Sequence, residues 1–278
     1  MTSCVSGCVT INNKPAQSEE ILPRHAFVQI QHSVEVHGCG IDPVTKEEKC
    51  QKAVMQYVSS GSYVFHSEVS QGTSYVLTAG HSCESKIPKI QMIEGFRIEN
   101  KGSKFKTVDL NGFKHNAEVV MINRRFDMCL LRVSNVITNP PVLKLAKKEP
   151  KRGETVINMA APHGLFWPGT VLIFKGQFAG YHDRGYSVYT IPTKPGSSGS
   201  PIINNKKELI GIIFAGYRTI ENVGLSSPLV ALKVFLKKAI AKGEMELFEK
   251  NNTPKLNTQV DRLWIQEMNH KLEKVFGK

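Results

Sequence analysis

The segment TKPGSSGSPI, residues 193–202, is rich in Gly, Pro and Ser, the residues that form tight turns. It lies shortly before the apolar run ELIGIIFAG, residues 208–216. A rigid turn of this composition can present a serine as a nucleophile, and Ser197, Ser198 and Ser200 are the candidates. A serine hydroxyl is a weak nucleophile at neutral pH. The chemistry therefore needs a base, and the base needs a carboxylate that fixes its tautomer.

Two other residues have the types and the settings that this chemistry requires. His81 follows the apolar run SYVLTAG, which places it in a turn of small residues at the end of a strand. Asp127 comes immediately before the apolar run MCLLRV. Taken singly, they would be interpreted as a partly buried structural histidine and a carboxylate that caps a turn. Together with the serine-rich turn, they predict a nucleophile, a base and an orienting acid.

The elements that would position these residues are β-strands, because short runs of alternating apolar residues recur between turns. Strands are predicted at residues 26–36, 61–69, 74–80, 90–99, 117–122, 128–133, 154–161, 170–180, 186–191, 201–204 and 208–216. So many strands do not stay in one strongly twisted open sheet. The Pro- and Lys-rich stretch 139–153 divides them into two groups of similar size. We therefore predict an all-β fold with two β-barrels joined at this stretch.

The C-terminal part of the chain has a helical pattern instead. A helix is predicted over residues 226–240, with Ser227 as the N-cap and Pro228 at the first helical position. A second helix is predicted over residues 258–276, where apolar residues recur every three or four positions. This apolar stripe is expected to pack on the parent domain rather than on a partner.

The motifs TAGH, FDMCLLRV and PGSSGSP, which contain His81, Asp127 and Ser198, occur in this order along the chain. In this order and in these motifs, residues 25–230 resemble the chymotrypsin-like serine proteases. The segments GSYVFHSEVSQGTSYVLTAGH and GETVINMAAPHGLFWPGTV are also similar to strands of Deg-type (high-temperature-requirement) proteases. The resemblance implies two antiparallel six-stranded β-barrels, with the histidine and the aspartate on the first and the serine on the second.

On this basis the chain is divided into four parts. These are an N-terminal extension (1–24), a first β-barrel (25–140), a linker with the second β-barrel (141–228), and a C-terminal helical extension (229–278).

The resemblance also assigns roles within the serine-rich turn. The family's Gly-x-Ser-Gly motif matches residues 196–199, which makes Ser198 the nucleophile. The oxyanion hole is then formed by the backbone N–H groups of Gly196 and Ser198. Glycine suits this place because two amides that point at one spot require a backbone that a side chain would hinder.

By the same resemblance, the specificity pocket lies between residues 192–194 and 213–216, with substrate-binding candidates Thr193, Lys194, Ile213, Phe214, Ala215 and Gly216. The two ranges, which form the walls of the pocket, contain no Asp or Glu. Cleavage after Arg or Lys is therefore disfavoured, because a buried cation needs an acidic partner. Ile213 stands where glutamine-reading relatives carry a histidine, so strict glutamine recognition is not expected. Thr193 is placed to hydrogen-bond the substrate residue before the scissile bond (P1). Lys194 either favours an acidic P1 residue or is simply exposed.

Two differences from the digestive enzymes narrow the choice of relatives within the family. Ser197 replaces the Asp of the digestive enzymes, and Ser82 replaces the cysteine that follows their catalytic histidine. Both favour intracellular relatives, namely Deg-type enzymes or the main proteases of positive-strand RNA viruses. The stretch after Ser227 is too short for the PDZ domain of most Deg-type enzymes.

We therefore expect a serine endopeptidase that processes a viral polyprotein in the host cytoplasm. The first alternative is a trimeric Deg-like quality-control protease that cuts unfolded proteins into many fragments. The second is a catalytically silent protease fold that binds RNA or protein.

The composition is compatible with these hypotheses. The net charge is +12, with positive residues densest at 144–152, and such a charge attracts acidic partners such as RNA. The residues are otherwise scattered without an aromatic-interleaved basic motif, so a solvated surface is the favoured interpretation. No apolar run approaches the roughly 20 residues that span a bilayer. The N-terminus lacks the pattern of a secretory signal, so a cytoplasmic location is expected.

The six cysteines do not have the spacing of a metal site, and neither a metal nor another cofactor is predicted. Two alternatives remain open. Either Cys4 with Cys8 or Cys39 with Cys50 could form a disulfide, and zinc could bind with the help of His32 or His37. Without a secretory signal, reduced thiols are the expected state.

Overall fold

The computed structural model describes residues 22–42, 44–84, 96–217, 219–251 and 258–276. Within them, the strands form two closed antiparallel barrels, each with six strands, which confirms the predicted fold. The first barrel contains β1 (Phe27–Ile41), β2 (Glu48–His66), β3 (Ser74–Ala79), β4 (Phe96–Asp109), β5 (Lys114–Asn123) and β6 (Met128–Val133). The second contains β7 (Thr155–Ala160), β8 (Leu172–Tyr181), β9 (Ser187–Tyr189), β10 (Pro201–Ile203), β11 (Leu209–Gly216) and β12 (Gly224–Ser226).

Strands β3 and β6 lie side by side in the first barrel and are the strands that matter most for the site. All six residues of β3 are buried, and Tyr75 on this strand packs against Gly243 of a C-terminal helix. The two strands are antiparallel, and Ala79 at the end of β3 pairs with Met128 at the start of β6. The chain that leaves β3 therefore meets the chain that enters β6.

The hairpin of β1 and β2 extends well beyond the barrel. The two strands pair without interruption from Phe27 opposite Ser62 to Ile41 opposite Glu48. β4 follows β1 over most of this length, as far as Phe96 opposite Gly40. The sequence predicts only the inner part of the hairpin. The outer half of β2 is exposed on both faces and lacks the alternation that marks a half-buried strand.

The C-terminal helices are α1 (Leu229–Asn251) and α2 (Thr258–Phe276). The second has the predicted bounds. The prediction for the first helix was wrong at both ends, because the helix begins at Leu229 and continues to Asn251 instead of ending at residue 240. The hydroxyl of Ser227 donates to the carbonyl of Phe126 at 2.8 Å and does not cap the helix. Both helices bury apolar side chains in the main core, with α1 against β5, β6 and β11. No helix in the described residues is both long and apolar enough to cross a membrane.

The cysteines correct the expectation of reduced thiols. Cys39 and Cys50 form a disulfide across the β1–β2 hairpin, where they are directly opposite each other. Cys83 and Cys129 form a second disulfide, between the turn after β3 and strand β6. The sequence did not point to this second pair, since only the fold brings its members together. Cys4 and Cys8 lie outside the described residues.

The histidine considered as a zinc ligand has an aromatic environment. The ring of His32 is buried and stacks on Phe105, with ring centroids 4.1 Å apart. Burial lowers the pKa of His32. We interpret it as a neutral core residue of the first barrel.

Helix α1 is joined to β3 by a buried carboxylate, and this contact gives a stability prediction. Glu244 is fully buried, accepts a hydrogen bond from the Tyr75 hydroxyl at 2.7 Å and another from the backbone N–H of Glu68 at 3.0 Å. Burial and the neighbouring Glu244 carboxylate raise the pKa of Tyr75, so the phenol keeps the proton that it donates.

We expect Glu244→Ala to lower the free energy of unfolding by about 2–3 kcal/mol, because it leaves the Tyr75 hydroxyl without its acceptor. Urea unfolding followed by tryptophan fluorescence measures this. Glu249→Ala, at an exposed position of the same helix, is the control. Equal effects of the two substitutions would contradict the assignment.

Candidate active site

His81 and Asp127 meet where β3 ends and β6 begins. His81 lies in a short 3-10 turn, Gly80–Cys83, and Asp127 directly precedes β6 with a φ of 51°. One carboxylate oxygen of Asp127 is 2.6 Å from the ring Nδ1 of His81. The other accepts the backbone N–H of His81, also at 2.6 Å. The carboxylate therefore holds both the ring and the main chain of the histidine.

Ser198 reaches this pair from the second barrel. Its Oγ is 2.9 Å from Nε2 of His81. Because the Asp127 carboxylate accepts the Nδ1 proton, Nε2 is the unprotonated nitrogen that accepts a hydrogen bond from the serine hydroxyl. The structure thus brings the three predicted residues together in the order acid, base and nucleophile.

The geometry also distinguishes the three candidate serines. Ser197 and Ser200 are buried. The hydroxyl of Ser200 accepts a hydrogen bond from the Asn158 side chain at 2.8 Å. Of the three, Ser198 is the one whose hydroxyl contacts His81.

Gly80 allows the histidine and the aspartate to approach so closely. A Cβ at this position would lie 2.8 Å from Oδ1 of Asp127 and 3.1 Å from the backbone nitrogen of Met128. Any side chain here would therefore push the carboxylate away from His81. The sequence motif TAGH contains this glycine, but its contact with Asp127 is visible only in the folded chain.

The serine-rich turn is seated in the fork where β2 and β3 diverge. Gly199 has a φ of 83°, and a Cβ on it would overlap the carbonyl of Ser60 and the hydroxyl of Thr78. Its N–H donates to the carbonyl of Ile213 on β11 at 2.6 Å. Glycine is needed here both for its backbone conformation and for the close approach of the two barrels.

Two backbone amides beside Ser198 are free to bind a substrate oxygen. In the described part of the chain, the N–H groups of Gly196 and Ser198 donate to no other group. The carbonyl in the same peptide group as each amide is held from the opposite side: Pro195 accepts from the N–H of His163 at 2.6 Å, and Ser197 accepts from the N–H of Ser200 at 3.0 Å. Because a trans peptide places its C=O and N–H in opposite directions, these bonds orient both amides.

Ser60 on β2 is a residue that the sequence analysis missed. Its hydroxyl donates to the carbonyl of Gly196 at 2.8 Å and accepts the N–H of Ala161 at 3.0 Å. Its own backbone N–H donates to the carbonyl of Ser198 at 2.8 Å. One small residue of the first barrel therefore holds the serine-rich turn at two points. The run SSGS, residues 59–62, is the available signal, but it does not identify the partners.

The predicted specificity residues fall into two groups. Thr193 lies against the second wall, since its Cβ is 3.0 Å from the place of a Cβ on Gly216. Ala215 and Phe214 are partly exposed on β11. Ile213 differs from the expectation: its side chain is fully buried, and its carbonyl and N–H bond to Gly199 and Ser200. It supports the serine-rich turn instead of lining a pocket.

Lys194 is exposed, and its ammonium lies 3.2 Å from the carboxylate of Glu221. An exposed ion pair of this kind is weak. The charge of Lys194 is therefore partly balanced in the free protein.

A cavity of about 330 Å³ adjoins the histidine and contains residues that the sequence analysis did not single out. Its lining includes Phe214, which contacts Tyr186 edge to face with centroids 5.1 Å apart. The Tyr186 hydroxyl is 3.4 Å from the carbonyl of Arg125, which lines the same cavity. The remaining lining is mainly polar and charged, with Glu84, Arg124 and Arg125 beside the histidine and the aspartate.

The contacts of Ser60 predict a specific loss on its removal. We expect Ser60→Ala to lower the free energy of unfolding by about 1–3 kcal/mol, because two buried backbone groups lose their partner. It should also slow the reaction of Ser198 with a fluorophosphonate. Ser62→Ala is the matched control, since the Ser62 hydroxyl is buried without a partner among the described residues. A Ser60→Ala protein that matches the control in both measurements would contradict this role.

Comparison with known proteins gives the family. Residues 59–212 match the family described as the trypsin-like peptidase domain. A curated relative, the probable periplasmic serine endoprotease DegP-like of Buchnera aphidicola subsp. Baizongia pistaciae, is 26% identical over 151 residues, which cover 51% of this chain and 31% of the relative. The chain thus spans about a third of the length of that relative.

Two solved structures share the fold. The serine endoprotease from Yersinia pestis has a TM-score of 0.54 at 18% identity, over 79% of this chain and 64% of that one. The inactive form of a serine-to-alanine mutant of Rv3671c from M. tuberculosis H37Rv has a TM-score of 0.52 at 15% identity, over 79% and 88% of the two chains. At these identities the structural likeness shows the fold alone. The family match, however, covers more than half of the chain, and the chain therefore belongs to the trypsin-like peptidase family.

Proposed function

We propose that this protein is a serine endopeptidase in which Ser198 is the nucleophile, His81 the general base and Asp127 the orienting acid. The observation that carries the proposal is the 2.9 Å contact between Ser198 Oγ and His81 Nε2, on a ring whose other nitrogen is held by Asp127. Family membership and the free amides beside Ser198 support it.

The geometry accounts for each step of peptide hydrolysis. Ser198 Oγ attacks the scissile carbonyl while Nε2 of His81 takes its proton, and the Asp127 carboxylate stabilises the imidazolium. The N–H groups of Gly196 and Ser198 bind the oxyanion, and such donors each contribute about 10²–10³ in rate. His81 then protonates the leaving amine. A water molecule, deprotonated by the same nitrogen, hydrolyses the acyl-enzyme.

The pocket walls favour a small P1 residue and disfavour Arg or Lys. The residues at 192–194 and 213–216 include no acid that would pair with a buried Arg or Lys. The contact of Thr193 with Gly216 narrows the space between the walls. The cavity beside His81, which combines Tyr186 and Phe214 with the charged Arg124 and Arg125, would receive a side chain from another position of the substrate.

Among the biological roles, a Deg-like protease that degrades unfolded proteins has more support than the viral polyprotein processing expected from the sequence. The relative from Buchnera is described as a periplasmic serine endoprotease. The two disulfides favour an oxidising compartment over the cytoplasm, where thiols are kept reduced.

The roles of the three residues predict distinct losses. Ser198→Ala should reduce hydrolysis of denatured casein by about 10⁶ while the protein stays folded. Asp127→Asn should reduce it by about 10⁴. The Asn oxygen can still accept the backbone N–H of His81, but its NH₂ group then faces Nδ1 of the ring and favours the tautomer in which Nε2 carries the proton. Casein cleavage and fluorophosphonate labelling with peptide mapping measure both effects. Wild-type activity in Ser198→Ala would contradict the proposal. An unlabelled wild type with salt-dependent RNA affinity would point to the silent, binding fold instead.

The two biological roles differ in how many bonds are cut. A Deg-like enzyme should degrade denatured casein at many sites and leave folded proteins intact. An enzyme that processes one precursor should cut few sites with a common sequence. Mass spectrometry of the products decides between them. Few cuts with a strict consensus would reject the Deg-like role.

A further inference from the structure

The Pro- and Lys-rich stretch that joins the two barrels lines a second cavity. This cavity has a volume of about 700 Å³, which is in the range of small-molecule sites. Its walls are the end of β2, residues 142–147 of the joining stretch, the turn before β11, and helices α1 and α2. It shares no lining residue with the cavity beside His81. We call it the linker cavity.

The deep part of the linker cavity is apolar. The buried side chains that line it are those of Val64, Leu143, Leu145 and Phe276. The ring of His66 also lines the cavity, and both of its nitrogens are already bonded, one to the Ser74 hydroxyl at 2.9 Å and the other to the Pro140 carbonyl at 2.8 Å. This part of the cavity therefore suits an apolar group and offers few polar partners.

The backbone of the joining stretch is bonded within the protein. The N–H of Leu143 donates to the Tyr63 carbonyl at 2.9 Å. The N–H of Leu209 donates to the Lys144 carbonyl at 2.8 Å, and the Leu209 carbonyl accepts the N–H of Ala146 at 2.9 Å. A polypeptide bound here would bury its own backbone groups against apolar side chains, which is costly when those groups find no partner. An acyl chain has no such groups.

The mouth of the linker cavity is positively charged. The charged residues that line the cavity are Lys144, Lys147, Lys233, Lys274 and Glu208. Within the described ranges, none of the four lysines forms an ion pair with a carboxylate. The ammonium of Lys233 donates to the Lys147 carbonyl at 2.8 Å, and its other N–H groups can bind an anion. The Glu208 carboxylate accepts the side-chain amide of Asn204 at 2.9 Å. An anion at the mouth would therefore meet an excess of positive charge.

We propose that the linker cavity binds a single-chain anionic amphiphile of the long-chain fatty acid class. The apolar chain lies among the buried side chains, and the carboxylate lies at the mouth beside Lys144 and Lys233. Each CH₂ group that leaves water stabilises the complex, and hydrogen bonds between ammonium and carboxylate groups are stronger than those between neutral groups. A nucleic acid would use the positive charge but leave the apolar part empty. The inference is independent of the proposed function, because no step of peptide hydrolysis involves this cavity.

Calorimetric titration of the wild-type protein with octanoate, decanoate and dodecanoate, below their micelle concentrations, tests the inference. We expect Kd to fall about tenfold for each pair of CH₂ groups added, as the transfer of these groups from water predicts. Dodecanoate should also raise the melting temperature, because it binds the folded state. Decan-1-ol and decylammonium, which lack the negative charge, should bind about tenfold more weakly than decanoate.

Two substitutions test the location, each with a matched control. Val142→Trp fills part of the cavity and should lower the affinity for decanoate about tenfold. Val234→Trp, at an exposed position of α1 that does not line the cavity, should leave it unchanged. Lys233→Met removes one ammonium group and should lower the affinity for decanoate about tenfold, while the affinity for decan-1-ol stays the same. Lys238→Met, at an exposed position of the same helix, is its control.

Each outcome supports or overturns the inference. Affinity that rises with chain length, needs the carboxylate and falls in both Val142→Trp and Lys233→Met would establish the site. Dodecanoate that gives neither heat of binding nor a change in melting temperature would overturn it. Equal affinity for decanoate and decylammonium, or unchanged affinity in both variants, would overturn it as well. A peptide of four apolar residues with a free C-terminal carboxylate that binds more tightly than decanoate would assign the cavity to a protein partner instead.

Discussion

The fork between β2 and β3, in which Gly199 contacts the Ser60 carbonyl and the Thr78 hydroxyl, fixes how the second barrel meets the first. His81 follows β3, and Ser198 precedes Gly199. The distance between the base and the nucleophile therefore depends on the position of Gly199 between β2 and β3. The hydrogen bonds of Ser60 to the Gly196 and Ser198 carbonyls keep the turn there. A site built from two barrels is only as well ordered as the contact between them.

The residues that carry chemistry could be located from the sequence because each has a local signature. His81 follows a small-residue turn after an apolar run, Asp127 comes before another, and Ser198 lies in a Gly- and Ser-rich turn. The two barrels could be predicted as well, because the short alternating strands and the polar stretch 139–153 are local patterns. The bounds of α2 follow from the same kind of pattern.

The supporting contacts could not be predicted, because they join residues far apart in the chain. Ser60 bonds to Ala161 and Gly196, and the Cys83–Cys129 disulfide links the turn after His81 to the strand after Asp127. Ser227 has the sequence of a helix cap, yet its hydroxyl donates to the carbonyl of Phe126, a residue 101 positions earlier in the chain. In each case tertiary contacts override or add to the local preference.

Helix α1 follows both barrels in the chain and contacts strands of each, β5 and β6 in the first and β11 in the second. Its buried side chains belong to one continuous apolar core with residues of both barrels. Neither barrel can therefore open without exposing a face of this helix to water, and each helps to stabilise the other. Heating should melt the two barrels in one cooperative transition, so that the protein loses its site and its fold at the same temperature.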